Sequence, residues 1–229
     1  MAEPGPLLII GGHEDKDGDR EILRALADLV KGDRLVIATI ASKEPEGYFD
    51  SYKEAFGALG LPDLIELYVE ERSDSGAREA LATLEGAAGV FFTGGDQLRI
   101  SSLIGDTAVE KRILEIHAEG GVIAGTSAGA SVMSETMLVK GPNAESYRLG
   151  DLHMAPGLGL MRDVIIDQHF AERGRYGRLM GAVAHNPRLL GVGIDEDTAL
   201  LVRGRTGEVL GSGAVYVVDG ECVTHSNVA

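Results

Sequence analysis

The chain has one cysteine, Cys222, among 229 residues, so no intrachain disulfide can form. Cys222 itself is expected to be a small core or surface residue near the C-terminus. Basic residues are also scarce, with 21 Lys and Arg against 36 Asp and Glu, a net charge of −15. That balance argues against a binder of nucleic-acid phosphates and favours cationic or zwitterionic partners, although most of the acids serve to solvate the surface. No apolar run approaches the length of a membrane span, and residues 1–6 lack the basic and apolar regions of a secretory signal. No membrane partner is therefore expected, and the cytoplasm is the expected location. No Pro/Ser-rich linker, charge block or repeat divides the sequence, so residues 1–229 read as one domain. With 44% apolar and 25% charged residues, that domain can bury a sizeable core.

Short apolar runs alternate with amphipathic segments. Candidate strands are Leu7–Ile10, Leu35–Ile40, Leu64–Val69, Val90–Phe92, Val122–Ala124, Val164–Ile166 and Leu189–Ile194. Between them Arg20–Val30, Ser51–Leu59, Gly76–Leu84 and Val109–Ala118 carry helical spacing; in the first, Ile22, Leu26, Leu29 and Val30 share a face. This rhythm predicts an α/β fold around a mainly parallel sheet covered on both faces. After Asp195 the pattern changes to three short runs, Ala199–Val202, Glu208–Leu210 and Ala214–Val218, which predict an antiparallel extension or edge. Residues 135–163 hold Gly141-Pro142-Asn143 and Ala155-Pro156-Gly157 with weak periodicity, and predict a long irregular loop facing a substrate.

Chemistry concentrates at Val122 to Ala130, an apolar run ending in Gly125-Thr126-Ser127-Ala128-Gly129 and continuing into helix-forming residues. A GxSxG at a strand-to-helix turn is the layout of a nucleophile elbow, and it makes Ser127 the candidate nucleophile. Chance gives about 0.2 such matches in a chain with 32 glycines, so the motif gains weight from its setting, against the alternative of an ordinary Gly-rich βα turn.

Sites in open parallel sheets form beyond the carboxyl ends of strands. That rule selects residues 11–16, residues 93–97, the Ser127 turn, Asp167-Gln168-His169 and Asp195-Glu196-Asp197. A serine nucleophile needs a base, and the base needs an orienting acid. His13 and His169 both follow candidate strands; position favours His169, with His13 a rim residue, His117 on a helix surface, and His153, His185 and His225 in loops or near the terminus. Among the acids, Glu196 points opposite to Asp195 and Asp197, so only one parity can face the base. The resulting serine, histidine, acid order is not that of the α/β-hydrolases. Backbone amides of Ala128 and of the Gly94-Gly95 turn are candidate oxyanion donors. Asp15, Asp17 and Asp19 imitate a calcium loop, but the glycine is misplaced at Gly18 and Leu26 stands where a bidentate acid is required. Gly11-Gly12-His13 is likewise no dinucleotide turn, so neither metal nor cofactor is expected.

With these pieces in hand, the chain resembles the cyanophycinases, of the serine peptidase family that also contains dipeptidase E. The matching segments are GGHEDKDG at 11–18, FFTGGDQLRI at 91–100, GTSAGASVMS at 125–134, DQHFAERGRYGRL at 167–179 and GVGIDEDTAL at 191–200. The resemblance implies Ser127 as nucleophile, His169 as base and Glu196 as acid. It also implies substrate-binding roles for Gln97, Asp167, Gln168, Arg173, Arg175 and Arg178, beside the oxyanion donors expected from position, the amides of Gly95 and Ala128. It implies a three-layer α/β/α sandwich, often a homodimer, that cuts cyanophycin into β-Asp-Arg dipeptides. That substrate is a poly-aspartate backbone with arginine on each β-carboxyl, and a cleft for it needs both signs of charge. Arg175 and Arg178 can share a helical face, Arg173 must project differently or precede the helix, and at least one of the three is expected to be structural. Two departures stand out: the sequence stops at Ser226–Ala229 where relatives commonly run on, and His13 stands where many carry a small residue. An aspartyl or isoaspartyl dipeptidase, or a silent binding module on the same fold, are the competing readings.

Overall fold

The computed structural model describes residues 3–140 and 152–225. Strand β1 (Leu7–Ile10) leads through α1 (Glu21–Val30), β2 (Arg34–Ala38) and α2 (Tyr48–Ala58) to β3 (Leu64–Leu67). A 3-10 segment at Arg72–Gly76 precedes α3 (Arg78–Thr83), β4 (Ala87–Phe92), α4 (Gln97–Ile104), α5 (Ala108–Ala118) and β5 (Val122–Thr126). Next come α6 (Ala128–Ser131), β6 (Thr136–Lys140), β7 (His153–Pro156), β8 (Val164–Gln168) and α7 (Tyr176–His185). Four strands follow: β9 (Leu190–Ile194), β10 (Thr198–Arg203), β11 (Thr206–Gly211) and β12 (Val215–Val218).

The main sheet has seven strands in the order β11-β10-β1-β5-β4-β2-β3. From β1 to β3 its neighbours are parallel, while β10 and β11 add the antiparallel edge that the short C-terminal runs predict. Both faces are covered at the centre of the sheet, which is why β1 (LLII) and β4 (AAGVFF) are apolar at every position rather than at every second one. In β1, Leu8 and Ile10 pack with Ile22, Leu26 and Phe56 of α1 and α2. Leu7 and Ile9 face the other way, into a layer with Ile100, Ile104, Val109 and Ile113 of α4 and α5. The result is a three-layer α/β/α sandwich. Helix α4 starts at Asp96, whose carboxylate accepts the Leu98 amide at 2.9 Å, an N-cap that stabilises a helix by about 1 kcal/mol.

The sequence pattern assigns Val164–Ile166 and Leu189–Ile194 to the same parallel sheet; the structure instead places β8 and β9 in a second sheet, ordered β12-β9-β8. Local packing explains the split. A Cβ on Gly193 would stand 2.6 Å from the Phe170 ring, and one on Gly191 would stand 2.9 Å from Leu179, so β9 is covered directly by Phe170 and α7. With Leu138, Ile165 and Ala182 these side chains form a separate core. The Gly11 backbone joins the two sheets, where a Cβ would lie 2.6 Å from the Ile194 carbonyl oxygen.

Within the segment expected to be an irregular loop, β6 and β7 instead pair antiparallel from Thr136 opposite Pro156. Gly141-Pro142-Asn143 lies outside the described residues, as do Ser226–Ala229. His117, expected on the surface, is half-buried with its Nδ1 lacking a partner among the described residues. Cys222 is exposed.

Candidate active site

Ser127 sits between β5 and α6 with φ 54° and ψ −112°, a conformation that side chains rarely adopt. The flanking glycines let the turn close. A Cβ on Gly125 would stand 2.5 Å from the Gly129 carbonyl carbon, and one on Gly129 would stand 2.7 Å from the Phe92 Cβ. Sharp turning at this point lifts the serine hydroxyl over the carboxyl edge of the main sheet, and the Ser127 amide is tied to the Ile10 carbonyl at 3.0 Å.

The second sheet supplies the partners of this hydroxyl. His169 follows β8 with φ 46°, is almost completely buried, and donates its amide to the Gly11 carbonyl at 2.8 Å. Its Nε2 lies 2.9 Å from Ser127 Oγ and its Nδ1 lies 2.6 Å from Glu196 Oε1. The parity question after β9 has a physical answer. Asp195 points away and accepts the Ala171 and Ala214 amides at 2.9 and 3.2 Å, while Asp197 accepts the Asp15 amide at 2.9 Å. Glu196, between them, faces the imidazole.

His13 enters the same cluster. Its Nδ1 lies 2.8 Å from Glu196 Oε2, and its ring meets that of His169 edge to face at 5.0 Å. The carboxylate thus bridges two imidazoles. Burial raises the Glu196 pKa, but hydrogen bonds from His13 and His169 outweigh it and hold the carboxyl below its usual range. For His169, burial is the largest influence and lowers the pKa below 6.5; the Glu196 hydrogen bond opposes the shift without reversing it. The imidazole is therefore neutral at pH 7, and Nδ1–H donation to Glu196 leaves the Nε2 lone pair facing the serine hydroxyl.

A cleft of about 440 Å³ opens over Ser127. Gly94 and Gly95 form one wall: a Cβ on Gly94 would be 3.4 Å from Ser127 Cβ, and Gly95 has φ 145° with Ala41 too close to admit a side chain. Gln97, Gln168, Arg173, Arg175 and Arg178 line the cleft as well. Gln97 is buried and donates to the Leu138 carbonyl at 2.9 Å, fixing α4 against β6.

Asp167 does not line the cleft, which corrects its expected place against the substrate. It is fully buried, and its carboxylate is occupied by arginines: Arg178 Nε donates to it at 2.6 Å and Arg175 Nη1 at 3.2 Å. Arg175 also donates to Gln168 Oε1 at 3.0 Å. The acid holds the arginines rather than meeting a ligand itself. Burial lowers the Arg175 pKa to about 10, so it remains charged at neutral pH, and its buried Nε has no partner among the described residues. Arg173 precedes α7 and is exposed.

Two residues of this neighbourhood escape a motif-based reading. Glu14 is buried and accepts the Thr126 hydroxyl at 2.5 Å and the Tyr52 hydroxyl, bracing the residue next to Ser127. Lys16 Nζ is 3.4 Å from Glu14 and 4.7 Å from the centre of the Tyr52 ring. In the sequence they lie just after β1, inside the GGHEDKDG segment, with no role assigned to either. The calcium-like spacing at Asp15 has a different use: its carboxylate accepts the amides of Arg20, Gly18 and Asp17, which lower its pKa to about 2.

A serine hydroxyl, a neutral imidazole and a carboxylate in hydrogen-bonded series can deliver a serine alkoxide equivalent to a carbonyl carbon. The family model described as Peptidase family S51 matches residues 7–210. A cyanophycinase from Nostoc sp. is 42% identical over 226 residues, covering 96% of this chain and 76% of that protein. One from Geminocystis herdmanii is 40% identical over 225 residues, covering 96% of this chain and 83% of that protein. Among solved structures, a peptidase from an acI-B1 Actinobacterium superposes with a TM-score of 0.73 at 25% identity, covering 95% of this chain and 92% of the other. A putative peptidase E from Listeria monocytogenes has a TM-score of 0.61 at 17% identity over 92% of this chain and 100% of the other, a likeness of fold alone.

Proposed function

The chain belongs to peptidase family S51, and we propose that it is a serine exopeptidase that hydrolyses cyanophycin to β-Asp-Arg dipeptides. The observation that carries this reading is the series Ser127 Oγ to His169 Nε2 at 2.9 Å and His169 Nδ1 to Glu196 Oε1 at 2.6 Å, set beside an arginine-lined cleft. Resemblance to cyanophycinases at about 40% identity supports the choice of substrate.

In the proposed reaction Ser127 Oγ attacks the scissile carbonyl carbon while its proton passes to His169 Nε2. Glu196 holds the imidazole in the tautomer that can accept that proton and stabilises the imidazolium. The Gly95 and Ala128 amides stabilise the oxyanion; each such donor contributes about 10²–10³ in rate. The tetrahedral intermediate then expels the amine, which takes the proton from His169 and leaves an ester on Ser127. Water, deprotonated by the same imidazole, repeats the sequence and frees the serine. Arg175 and Arg173, which line the cleft, meet the substrate carboxylates. Gln97 and Gln168 complete the polar wall, and Arg178 with Asp167 keeps Arg175 in place.

The protein is further proposed to act as one domain, as a homodimer and in the cytoplasm. Among the described residues no helix is long and apolar enough to cross a membrane. Sedimentation or light scattering of the purified chain tests the dimer. Parallel rates on the polymer, on β-Asp-Arg and on Asp-X dipeptides test the substrate. Turnover of the polymer to β-Asp-Arg supports the proposal; turnover of soluble dipeptides alone replaces it with a dipeptidase.

A further inference from the structure

We propose that His13, Glu196 and His169 form a binding site for a divalent transition metal, zinc foremost, and that metal bound there shuts the active site down. Both imidazoles direct Nδ1 at one carboxylate, at 2.8 Å for His13 and 2.6 Å for His169. The three ligand atoms lie within 4.8 Å of one another. Two imidazoles and a carboxylate are a donor set that zinc takes readily, with water in the fourth position.

The geometry needs one adjustment. Zinc bonds of about 2.0–2.2 Å in a tetrahedron hold ligand atoms roughly 3.3 Å apart, so the present contacts of 2.8 and 2.6 Å must open by about 0.5–0.7 Å. His13 and Glu196 can provide that movement together, since their side chains are 71% and 25% exposed and only His169 of the three is held by burial. The same exposure gives an ion a route from solvent. The net charge of −15 favours the approach of cations, and the nearby Arg173 opposes it. Magnesium and calcium prefer oxygen donors and are poorly served by two imidazoles.

Inhibition follows from the tautomer. Metal on Nδ1 of a neutral His169 requires the ring proton to reside on Nε2, the nitrogen that faces Ser127. The hydroxyl then meets a donor in place of a lone pair, so the imidazole cannot take its proton. Glu196 is withdrawn from its orienting role by the same event. Metal binding stands on the three ligands alone, whereas the loss of activity rests on the role of His169 proposed above.

The test uses the untagged full chain carrying Cys222→Ser, which removes the exposed thiol as a rival ligand. Calorimetric titration of the Ser127→Ala form with zinc chloride is expected to show one tight equivalent, and cobalt(II) to give the visible bands of a tetrahedral site. His13→Ala and His13→Asn should weaken zinc binding by about tenfold or more. In the Ser127 form, zinc should inhibit hydrolysis reversibly by chelator, magnesium and calcium should not, and each His13 variant, normalised to its own metal-free rate, should need about tenfold more zinc. Absence of stoichiometric binding, or binding unchanged in both His13 variants, overturns the site. Zinc binding without inhibition overturns the shut-down. A metal-free enzyme that leaves cyanophycin intact counts against the peptidase reading and not against the site, because binding is read in the inactive form.

Discussion

Gly12 lies against the His169 imidazole so closely that a Cβ on it would stand 2.6 Å from Nε2, the atom that faces Ser127. Its φ of 114° is in any case unsuited to a side chain. Gly12→Ala should therefore displace the base. A misplacement of about 1 Å costs about 10² in rate, so kcat/KM should fall by at least that factor in protein that remains folded by circular dichroism. Activity near the unmodified level would show that the contact is unimportant.

Glu196→Gln keeps the shape of the acid while changing which tautomer it favours, because the amide can donate to His169 Nδ1 as well as accept from it. We expect kcat to fall by about 10³–10⁴ with little change in melting temperature, as at the equivalent step in other triads. Asp195→Asn should do the opposite, since Asp195 pins the Ala171 and Ala214 amides and does not face the base. Stability should drop by about 1–3 kcal/mol in chemical denaturation, with a smaller loss of kcat.

Burial holds the His169 pKa below 6.5, and only the neutral ring can accept the serine proton. Activity should be complete above that pKa and fall as pH drops through it. The acid limb of a kcat/KM profile should thus have its midpoint below 6.5. A midpoint above 6.5 would mean that the carboxylate, not burial, dominates the environment of the ring.

Asp167 is buried between Arg175 and Arg178, so Asp167→Asn removes the countercharge of both. Breaking a buried ion pair from one side costs about 3–5 kcal/mol, readable as a loss of unfolding free energy. Because the arginines line the cleft and the acid does not, KM for the substrate should rise more than kcat falls. A change in kcat alone would place Asp167 in the chemistry.

These residues also mark what the sequence makes legible. The β5 to α6 turn is readable because Gly125 and Gly129 are required by backbone contacts that no other residue allows. His169 and Glu196 are readable as residues that follow apolar runs, while the choice of Glu196 among three acids of two parities comes only from the family resemblance. Membership of β8 and β9 in a second sheet is not readable, since an apolar run carries no label for the sheet it joins; the cover given by Phe170 and α7 decides it. Asp167 misleads for a related reason: it stands two residues before His169, so alternation alone would put both on one face, but the chain leaves the strand at His169, with φ 46°, and Asp167 stays inside the protein, where only the fold supplies two arginines. The contact of His13 with Glu196 joins residues 183 positions apart and leaves no local trace.

The central claim is that Ser127, activated by His169 and Glu196, cleaves cyanophycin. Its most direct test is to incubate insoluble cyanophycin with the wild-type chain and with Ser127→Ala, and to follow soluble products by mass spectrometry. Release of β-Asp-Arg by the wild type, reduced by at least about 10³ in the variant, is the predicted result. Equal release by both, or none by the wild type, would contradict it.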